Sequence, residues 1–350
     1  MSHGNISIFI PHLGCPNACS FCDQRTISST AHAPSPYEAE DVIRGAFERI
    51  TNPSDRADTE IAFFGGSFKA IDRDYMTALL GRASKYLKTP EKDGFRGIRI
   101  STRPDCIDEE ILMLLKKYGV TAIELGAQSM SDKVLEMNNR GHSSVDVIHA
   151  SEMIKAHGFE LGLQMMVGLY QSTVYDEYRT MAEFIKIAPK TARIYPVCVL
   201  EGTRLAELFK SGEYILYPFE KAVNICGVIY CGLTSAGINV IRMGLHAEDG
   251  VEKRAIAGFY HPAFADIVRS DIVKNVILKY YMSEMSDEDR NKTIEIEAPP
   301  KLLGAVYGHK KSNRLFFESA GIKIKASVNT SLLPNEISIN KDVQNVFKIT

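Results

Sequence analysis

The sequence predicts an α/β protein in which a partial (β/α)6 barrel is followed by a small α+β unit. Two observations support this prediction. Short apolar runs alternate six times with amphipathic segments of helical length over the first 210 residues, and continuous apolar runs are typical of parallel strands buried on both faces. The last sixty residues have a different order of strands and helices. From this pattern alone, a doubly wound sheet remains an alternative for the first part.

The six βα units can be read off in chain order. Because such alternation places helices outside a parallel sheet, catalytic groups are expected at the carboxyl ends of the strands. The predicted strands are Ile6–Pro11, Ile61–Phe64, Ile98–Thr102, Ala122–Leu125, Leu161–Val167 and Arg193–Leu200. The predicted helices are Pro36–Ile50, Asp74–Leu87, Asp108–Tyr118, Val145–His157, Val174–Ile187 and Arg204–Lys210. Beyond them we expect an apolar helix over Ala222–Leu233, a strand at Asn239–Gly244 and a helix that begins near Pro262.

A chain of 350 residues is longer than one average domain, so one large and one small domain are expected. The stretch Met285–Asn291 is polar and has no apolar period, as a linker would. We therefore predict a barrel domain over residues 1–284, a linker over 285–291 and a small domain over 292–350.

Composition excludes several classes of protein. With 45% hydrophobic and 24% charged residues the chain resembles ordinary globular proteins, and a net charge of −2 gives no overall attraction to nucleic acid or membranes. No apolar run approaches the roughly 20 residues that cross a bilayer, and the N-terminal run Ile6–Ile10 is too short for a signal peptide. We expect a cytoplasmic protein without a membrane partner.

Three cysteines with the spacing CxxxCxxC, namely Cys15, Cys19 and Cys22, directly follow the first predicted strand. Three thiolates on one loop can ligate three irons of a 4Fe–4S cluster, and without a fourth cysteine nearby the last iron can bind a small molecule. Zinc sites usually combine a CxxC with a second ligand pair, and seven cysteines without a signal peptide argue against disulfides. The spacing therefore favours a catalytic cluster.

Several motifs in order resemble one family. CxxxCxxC with the aromatic Phe21 before its last cysteine resembles the radical S-adenosylmethionine (SAM) superfamily. The later strand ends carry Thr102-Arg103-Pro104-Asp105, then Glu124-Leu125-Gly126-Ala127-Gln128-Ser129 and Asn139-Arg140-Gly141-His142. These strings resemble the TRPD, ELGxQS and NRGH patterns of the radical SAM domain of the Elongator catalytic subunit. The resemblance covers roughly residues 5 to 275.

The resemblance implies a set of cofactor contacts. Gly65, Gly66 and Ser67 stand where radical SAM enzymes carry a GGE-type motif that holds the methionine amino group through its backbone, with Ser67 in place of the glutamate. By comparison with oxygen-independent coproporphyrinogen oxidases, the remaining contacts to SAM fall on Gln128, Arg140 and Gln164. An amide can bridge ribose hydroxyls, and a guanidinium can pair with the methionine carboxylate.

Other polar residues give weaker indications. Ser101 stands where an acidic residue is common in these relatives, and Tyr195, at the end of the sixth strand, is the candidate for a catalytic side chain in the wall of the site. His142 and His246 could face the barrel mouth, although most single histidines are structural. The cysteines outside the loop are expected to be buried free thiols rather than a second cluster; they are Cys106, Cys198, Cys226 and Cys231.

The last sixty residues resemble a KH-type RNA-binding domain. The predicted order is βααββα: strand Thr293–Glu297, helices Pro300–Tyr307 and Ser312–Ala320, strands Ile322–Ser327 and Glu336–Ile339, and helix Asp342–Phe347. KH domains clamp a nucleic-acid backbone on a GxxG loop between two helices, and here Lys311 replaces the second glycine. From residue 291 to 350 nine Lys and Arg face five Asp and Glu, which favours phosphate contact. The expected RNA contacts are Gly308, His309, Lys310, Lys311 and Arg314.

Together these features predict a radical SAM enzyme that binds a 4Fe–4S cluster and S-adenosylmethionine, generates a 5′-deoxyadenosyl radical and modifies RNA, with transfer RNA as substrate. The resemblance implies an electron donor such as ferredoxin or flavodoxin, and we expect no acetyl-CoA site in this chain. Two alternatives remain. One is an oxidase or decarboxylase of a small molecule, as in the coproporphyrinogen enzymes, and the other is a non-catalytic RNA-binding protein whose cluster senses redox state.

Overall fold

The computed structural model describes residues 4–10, 19–23, 32–68, 71–245, 249–285, 292–340 and 345–349. Its main element is a curled parallel sheet of seven strands, a half-barrel in which strand order follows chain order. The strands are β1 (Gly4–Ile10), β2 (Thr59–Gly65), β3 (Gly97–Thr102), β4 (Val120–Gln128), β5 (Glu160–Val167), β6 (Thr191–Pro196) and β8 (Asn239–Met243). The predicted α/β class and partial barrel are confirmed, and the additional strand at Asn239 becomes the seventh member of the sheet.

Helices connect these strands, and side-chain caps fix where several of them begin. Ser35, Ser143 and Thr173 each form a capping box with an acidic residue three positions later, which satisfies two free N–H groups at each helix start. The helices are α1 (Pro36–Arg49), α2 (Pro53–Ala57), α3 (Arg73–Ala83), α4 (Glu109–Lys117), α5 (Asp132–Met137), α6 (Ser144–Ala156), α7 (Val174–Ile187), α8 (Arg204–Lys210), α9 (Phe219–Ser235), α10 (Asp249–Arg254) and α11 (Phe264–Ser283).

The two faces of the sheet have different chemistry. Because side chains alternate along a strand, every second residue packs outward against the helices, and these residues are apolar and fully buried, for example Phe63, Ile100 and Leu163. The other residues face the inside of the half-barrel, and we call this side the inner face. Its half-buried members include Phe9, Phe64, Ser101, Gln164, Met166, Tyr195 and Arg242. A ligand inside the barrel would therefore meet polar and aromatic side chains.

The predicted sixth strand, Arg193–Leu200, is divided in two. Pro196 ends β6 because it has no N–H to donate to a further ladder bond. The chain then leaves the parallel sheet, and β7 (Cys198–Leu200) pairs antiparallel with β9 (Ala255–Gly258). This two-stranded ribbon lies beyond the carboxyl end of β6.

The C-terminal unit contains a four-stranded sheet of order β11-β10-β12-β13 with two helices. Its elements are β10 (Ile294–Ala298), α12 (Pro300–Tyr307), α13 (Ser312–Ser319), β11 (Ile324–Val328), β12 (Glu336–Ile339) and β13 (Val346–Lys348). The helix predicted over Asp342–Phe347 is wrong where the structure can be compared, because residues 346 and 347 belong to a strand antiparallel to β12. Residues 341–344 lie outside the described part.

This unit packs along α11. Near the start of the helix, the Asn313 amide donates to the carbonyl of Ser270 at 2.8 Å. Near its end, Asn340 donates to the Tyr280 hydroxyl at 3.2 Å, and the Tyr280 ring packs edge-on against Phe347. Met285, predicted to begin the linker, is instead buried in the hydrophobic core, and residues 286–291 lie outside the described residues.

Candidate active site

The loop after β1 is tied to the barrel by backbone and side-chain bonds. Of the three predicted cluster ligands, Cys19 and Cys22 are half-buried in this loop, and Cys15 lies outside the described residues. Between the two, the Ser20 hydroxyl donates to the Asn138 side-chain oxygen at 2.6 Å, and its N–H donates to the Asn138 carbonyl at 3.1 Å. The Ser20 carbonyl accepts from the N–H of Leu205 in α8 at 2.7 Å. The loop is thereby held from two sides.

Arg140 connects this loop to the end of β4. One terminal nitrogen of its guanidinium donates to the Cys19 sulfur at 3.0 Å, and the other donates to the Gly126 carbonyl at 2.6 Å. The guanidinium carbon also lies 5.9 Å from the centre of the Phe21 ring. Arg140 therefore contacts a sulfur and an aromatic ring of the cysteine loop as well as the end of β4.

Four polar side chains around this loop keep a buried atom without a hydrogen-bond partner in the part of the chain that the structure describes. These atoms are Arg103 Nη1, Gln128 Oε1, Arg140 Nε and His142 Nδ1. Burying an unpaired polar atom costs roughly 1–3 kcal/mol. These side chains come from the ends of β3 and β4 and from the segment after α5. Four unpaired polar atoms, each with its own free-energy cost, therefore lie close together, as expected where a polar ligand binds.

Gln128 has a second unusual feature, since its backbone φ is +65°. A residue with a side chain rarely adopts this left-handed conformation, and such strain is common at ligand sites. His142, predicted to be near the mouth, is buried, and its Nε2 contacts the Ala127 carbonyl at 3.2 Å. Burial and the nearby Arg140 lower the pKa of His142 to about 4, so its imidazole is neutral at physiological pH.

The glycine pair after β2 fits tightly against β1. Gly65 has φ +112°, and an added Cβ would lie 2.6 Å from the Ile10 carbonyl oxygen, so only glycine fits there. The Gly66 N–H donates to that same carbonyl at 2.8 Å. This bond occupies the Gly66 N–H. Ser67 is buried and its hydroxyl lies 2.9 Å from the Thr102 hydroxyl, so it joins the ends of β2 and β3.

Glu124, in the middle of β4, is the centre of an ion-pair network on the inner face. Arg193 binds its carboxylate through two nitrogens at 2.7 and 2.9 Å, and Gln164 donates to it at 2.8 Å. Arg99 bonds Glu60 at 2.6 Å and reaches Glu124 at 3.4 Å. Burial alone would raise the pKa of Glu124, but the charge of Arg193 and these hydrogen bonds hold it below its ordinary value.

The network changes the interpretation of Gln164. Its amide nitrogen donates to Glu124 and, at 3.2 Å, to the Ser101 hydroxyl. Only its oxygen is thus available for a ribose hydroxyl, a narrower role than the resemblance implies. Tyr195 is half-buried on the inner face, one register layer nearer the carboxyl ends than Arg193.

The loop between α12 and α13 carries the residues predicted to contact RNA. Gly308 has φ +80°, and Lys310 and Lys311 also lie in the left-handed region, with φ +52° and +65°. The lysines and Arg314 are exposed, and Arg314 pairs with Glu318 at 2.7 Å. The ring of His309 packs against His261 at 5.1 Å between centroids. His261 lies three residues before the start of α11, and Phe264 of α11 lies against Gly244 at the end of β8. This loop is therefore on the mouth side of the barrel.

The profile of the radical SAM superfamily matches residues 9–185, slightly more than half of the chain. The chain belongs to this superfamily. The profile of the radical SAM C-terminal domain matches residues 189–274. Membership identifies the protein as a radical SAM enzyme and implies a 4Fe–4S cluster and SAM. Both profiles end before the C-terminal unit, so the KH-like resemblance stays a prediction.

Curated relatives point to the Elongator group. The chain is 32% identical over 196 residues to the tRNA uridine(34) acetyltransferase of Methanocaldococcus infernus, which covers 51% of this chain and 36% of the relative. It is 29% identical over 242 residues to the human Elongator complex protein 3, covering 61% and 43%. The chain thus matches less than half the length of these relatives. The solved structure of the Elp3 protein of M. infernus, lacking its N-terminus, has a TM-score of 0.61 at 21% identity and covers 82% of this chain and 69% of that one, which supports the fold.

The residues described here fit the group that the family implies. Two thiols lie on one anchored loop, a guanidinium lies 3.0 Å from the Cys19 sulfur, and buried donors and acceptors without a described partner, suited to an amino acid and a ribose, surround the loop. Sequence reasoning missed Arg103, whose guanidinium binds Asp105 at 2.9 and 3.0 Å, and the network of Glu124. The available signal was one charged residue inside each of several apolar strands.

Proposed function

We propose that this chain is a radical SAM enzyme that modifies RNA, with transfer RNA as its substrate. The observation that carries the proposal is the position of Arg140, which joins the Cys19 thiol to the Gly126 carbonyl at the end of β4. This contact brings the cysteine loop and the residues that resemble a SAM site to one end of the barrel. The relatives named for tRNA uridine and Elongator support RNA as the substrate class.

In this proposal Cys15, Cys19 and Cys22 hold the cluster, and an external donor such as ferredoxin or flavodoxin supplies its electron. The cluster and SAM, when bound, supply a 5′-deoxyadenosyl radical that abstracts hydrogen from the substrate. Arg140 Nε pairs with the methionine carboxylate, and Gln128 Oε1 accepts from a ribose hydroxyl. The Gly66 carbonyl accepts from the methionine amino group, while Ser67 keeps the strand ends in register.

The remaining residues orient the substrate and exclude water. The outward face of the sheet is sealed by the apolar core, so a substrate would reach the site from the inner side of the half-barrel, where exclusion of water would protect a reactive intermediate. Tyr195, on the inner face, is the candidate catalytic side chain. His142, neutral because its pKa is about 4, supplies a hydrogen-bonding nitrogen without adding charge.

The basic loop supports an RNA substrate. Lys310 and Lys311 are exposed beside the connection that precedes α11, and no carboxylate among the described residues forms a salt bridge with either. Two left-handed lysines in succession cost about 1–2 kcal/mol each, so the rest of the unit must hold this conformation. We propose that the loop, as in KH domains, grips an RNA backbone while the target base enters the barrel.

The test is anaerobic. The full chain is reconstituted with iron and sulfide, reduced and given SAM, and 5′-deoxyadenosine is measured with and without bulk transfer RNA. We expect product that increases with RNA. Cys19→Ala should abolish both the cluster absorbance and the product, whereas Cys231→Ala, which removes a thiol of α9 outside the loop, should retain both.

Each other outcome contradicts one part of the proposal. Slow cleavage that is indifferent to RNA would contradict the RNA substrate and favour a small molecule. Absence of cleavage from a protein with a full cluster would contradict the enzyme and favour a redox sensor.

A further inference from the structure

Arg242 is an arginine of the inner face for which the described part of the chain provides no ionic partner. It lies in β8, where it is the register partner of Arg193 in β6. Its Nε donates to the carbonyl of Gly244 at 3.0 Å. Among the residues that the structure describes, no carboxylate lies within salt-bridge distance of its guanidinium. The two terminal nitrogens therefore carry donors that the described chain does not use.

Arg193, its neighbour in the sheet, is a buried arginine whose charge is balanced by an ionic partner. Arg193 has a two-point bond to Glu124 at 2.7 and 2.9 Å, and its guanidinium carbon lies 4.9 Å from the centre of the Phe64 ring. Arg242 has no such support, although it is half-buried. Burial lowers the pKa of Arg242, and the charge of Arg193 acts in the same direction while Tyr195 opposes it. Partly buried positive charges of this kind are normally paired.

Its position separates Arg242 from the side of the barrel where we propose SAM to bind. Gln128 ends β4, and Arg140 bonds the Gly126 carbonyl of that strand. β8 lies three strands further along the sheet, which at about 4.8 Å per strand is a separation of roughly 14 Å along its surface. Tyr195 of β6 lies between the two regions. A group bound at Arg242 would therefore belong to the substrate rather than to the methionine end of SAM.

We propose that Arg242, together with the Tyr195 hydroxyl, binds an oxyanion of the substrate, a phosphate or a carboxylate, inside the barrel. A guanidinium presents two parallel N–H groups that match two oxygens of such an anion. Arg193 is already engaged by the Glu124 carboxylate and by the Tyr195 hydroxyl oxygen, which accepts a hydrogen bond from it. The Tyr195 O–H is thus still a donor for the anion, and Arg193 contributes through its positive charge alone. The assignment of the anion to a substrate rests on the proposed function, but the anion site itself does not require it.

The test measures anion binding directly. The reconstituted full chain is titrated anaerobically by calorimetry in low-chloride buffer, with inorganic phosphate in one arm and acetate in the other, so that the two chemistries are distinguished. We expect one of the anions to bind, and Arg242→Gln to weaken that binding at least tenfold. Arg242→Lys keeps the positive charge but loses the two parallel N–H donors, so it should weaken anion binding several-fold. Tyr195→Phe should weaken it two- to fivefold.

The matched control is Arg44→Gln, which removes an exposed arginine of α1 that pairs with Asp41 and should bind as the wild type does. If neither anion binds the wild type, or if the Arg242 variants bind it unchanged, the proposal is wrong. Should Arg242→Gln fail to fold, the comparison of Arg242→Lys and Tyr195→Phe with the wild type decides instead. If the anion binds the wild type and the Arg242 variants lose it, but the wild type does not cleave SAM, only the proposed function is contradicted. Cleavage together with anion binding that is independent of Arg242 would contradict only this inference.

Discussion

The lower inner face and the mouth of the barrel are both polar and buried, but they differ in how their groups are paired. Lower down, Arg99 and Arg193 share the carboxylates of Glu60 and Glu124 at 2.6 to 3.4 Å. We call these four residues the floor charges. At the mouth, four side chains each retain an unpaired buried atom within the described part of the chain; this mouth group consists of Arg103, Gln128, Arg140 and His142.

The difference indicates what each region is for. A network whose members satisfy one another rigidifies a fold, whereas a partly satisfied one is stable only with a further partner. Changes to the floor charges should therefore reduce stability first. Changes to the mouth group should reduce ligand binding first. Variants of the two regions can test this difference.

The largest expected effect is a loss of stability on changing the floor charges. Glu124→Gln leaves Arg193 and Arg99 buried without their shared charge, and loss of one partner of a buried ion pair costs about 3–5 kcal/mol. Urea unfolding of the chain without cofactors should show a decrease of this size in the free energy of unfolding. Asp41→Asn, which breaks the exposed pair with Arg44, should cost at most about 1 kcal/mol. Equal effects of the two changes would remove the distinction between floor and surface.

The second effect is a pH dependence at the mouth. Since the pKa of His142 falls from 6.5 to about 4 on folding, the unfolded chain binds more protons than the folded one between these values. The contribution of His142 to stability should accordingly rise with pH from about 4 to 6.5, by on the order of 3 kcal/mol. The buried Glu177, whose pKa is raised to about 7, contributes in the opposite direction, so the His142 contribution is measured as a difference: the free energy of unfolding of the wild type relative to His142→Gln, from urea unfolding, should increase by this amount across that range. His149→Gln, on the exposed side of α6, should keep the wild-type slope; a flattened slope in that variant would mean that His142 is not the source.

The third effect concerns ligand binding. Arg140→Gln removes the guanidinium proposed to hold the methionine carboxylate, and a charge-assisted hydrogen bond contributes about 1.5–3 kcal/mol. Equilibrium dialysis of the reconstituted chain should show SAM affinity reduced about 10- to 100-fold. The Arg44→Gln variant again serves as control. If the variant binds SAM normally but unfolds more readily, Arg140 has a structural role and not the ligand-binding role assigned to the mouth group.

The smallest effect is expected at the basic loop outside the barrel. Lys310→Ala combined with Lys311→Ala removes two exposed charges, so the slope of log affinity for transfer RNA against log salt should decrease by about 1 to 2. Lys85→Ala with Lys186→Ala removes two exposed lysines of other surfaces and should leave the slope unchanged. Binding that is the same in both double variants would contradict RNA contact through the loop.

Local patterns predicted the strands well because each depends on a short run of neighbouring residues. The runs that became β2, β3 and β5 were recognised within a few residues of their bounds, since apolar runs of that length suit buried parallel strands. The break at Pro196 was missed, although a proline without an N–H is a signal for it. The last helix failed because Val346, Phe347 and Lys348 pair with β12, a contact that sequence neighbours do not specify.

The site was predictable in part for the same reason. Motifs held on one loop or one strand end, such as that of Cys19 and Cys22 or that of Arg140, are visible in the sequence. The pairing of Glu124 with Arg193 depends on the register of strands 69 residues apart, which no local pattern specifies. The same holds for Arg242, whose interpretation depends on the absence of a carboxylate partner among the described residues.

Helix α11 fixes the orientation of the C-terminal unit through two contacts along its length. Ser270 and Tyr280, ten residues apart, contact opposite ends of the C-terminal unit, and they span about 15 Å at 1.5 Å per residue. One residue inserted between them would turn one contact by about 100° relative to the other, so the unit could keep either attachment but not both. An insertion of seven residues, about two full turns, would restore the relative direction of the two contacts but move them about 10 Å further apart. The attachment of the C-terminal unit therefore depends on both the rotation and the length of this helical segment.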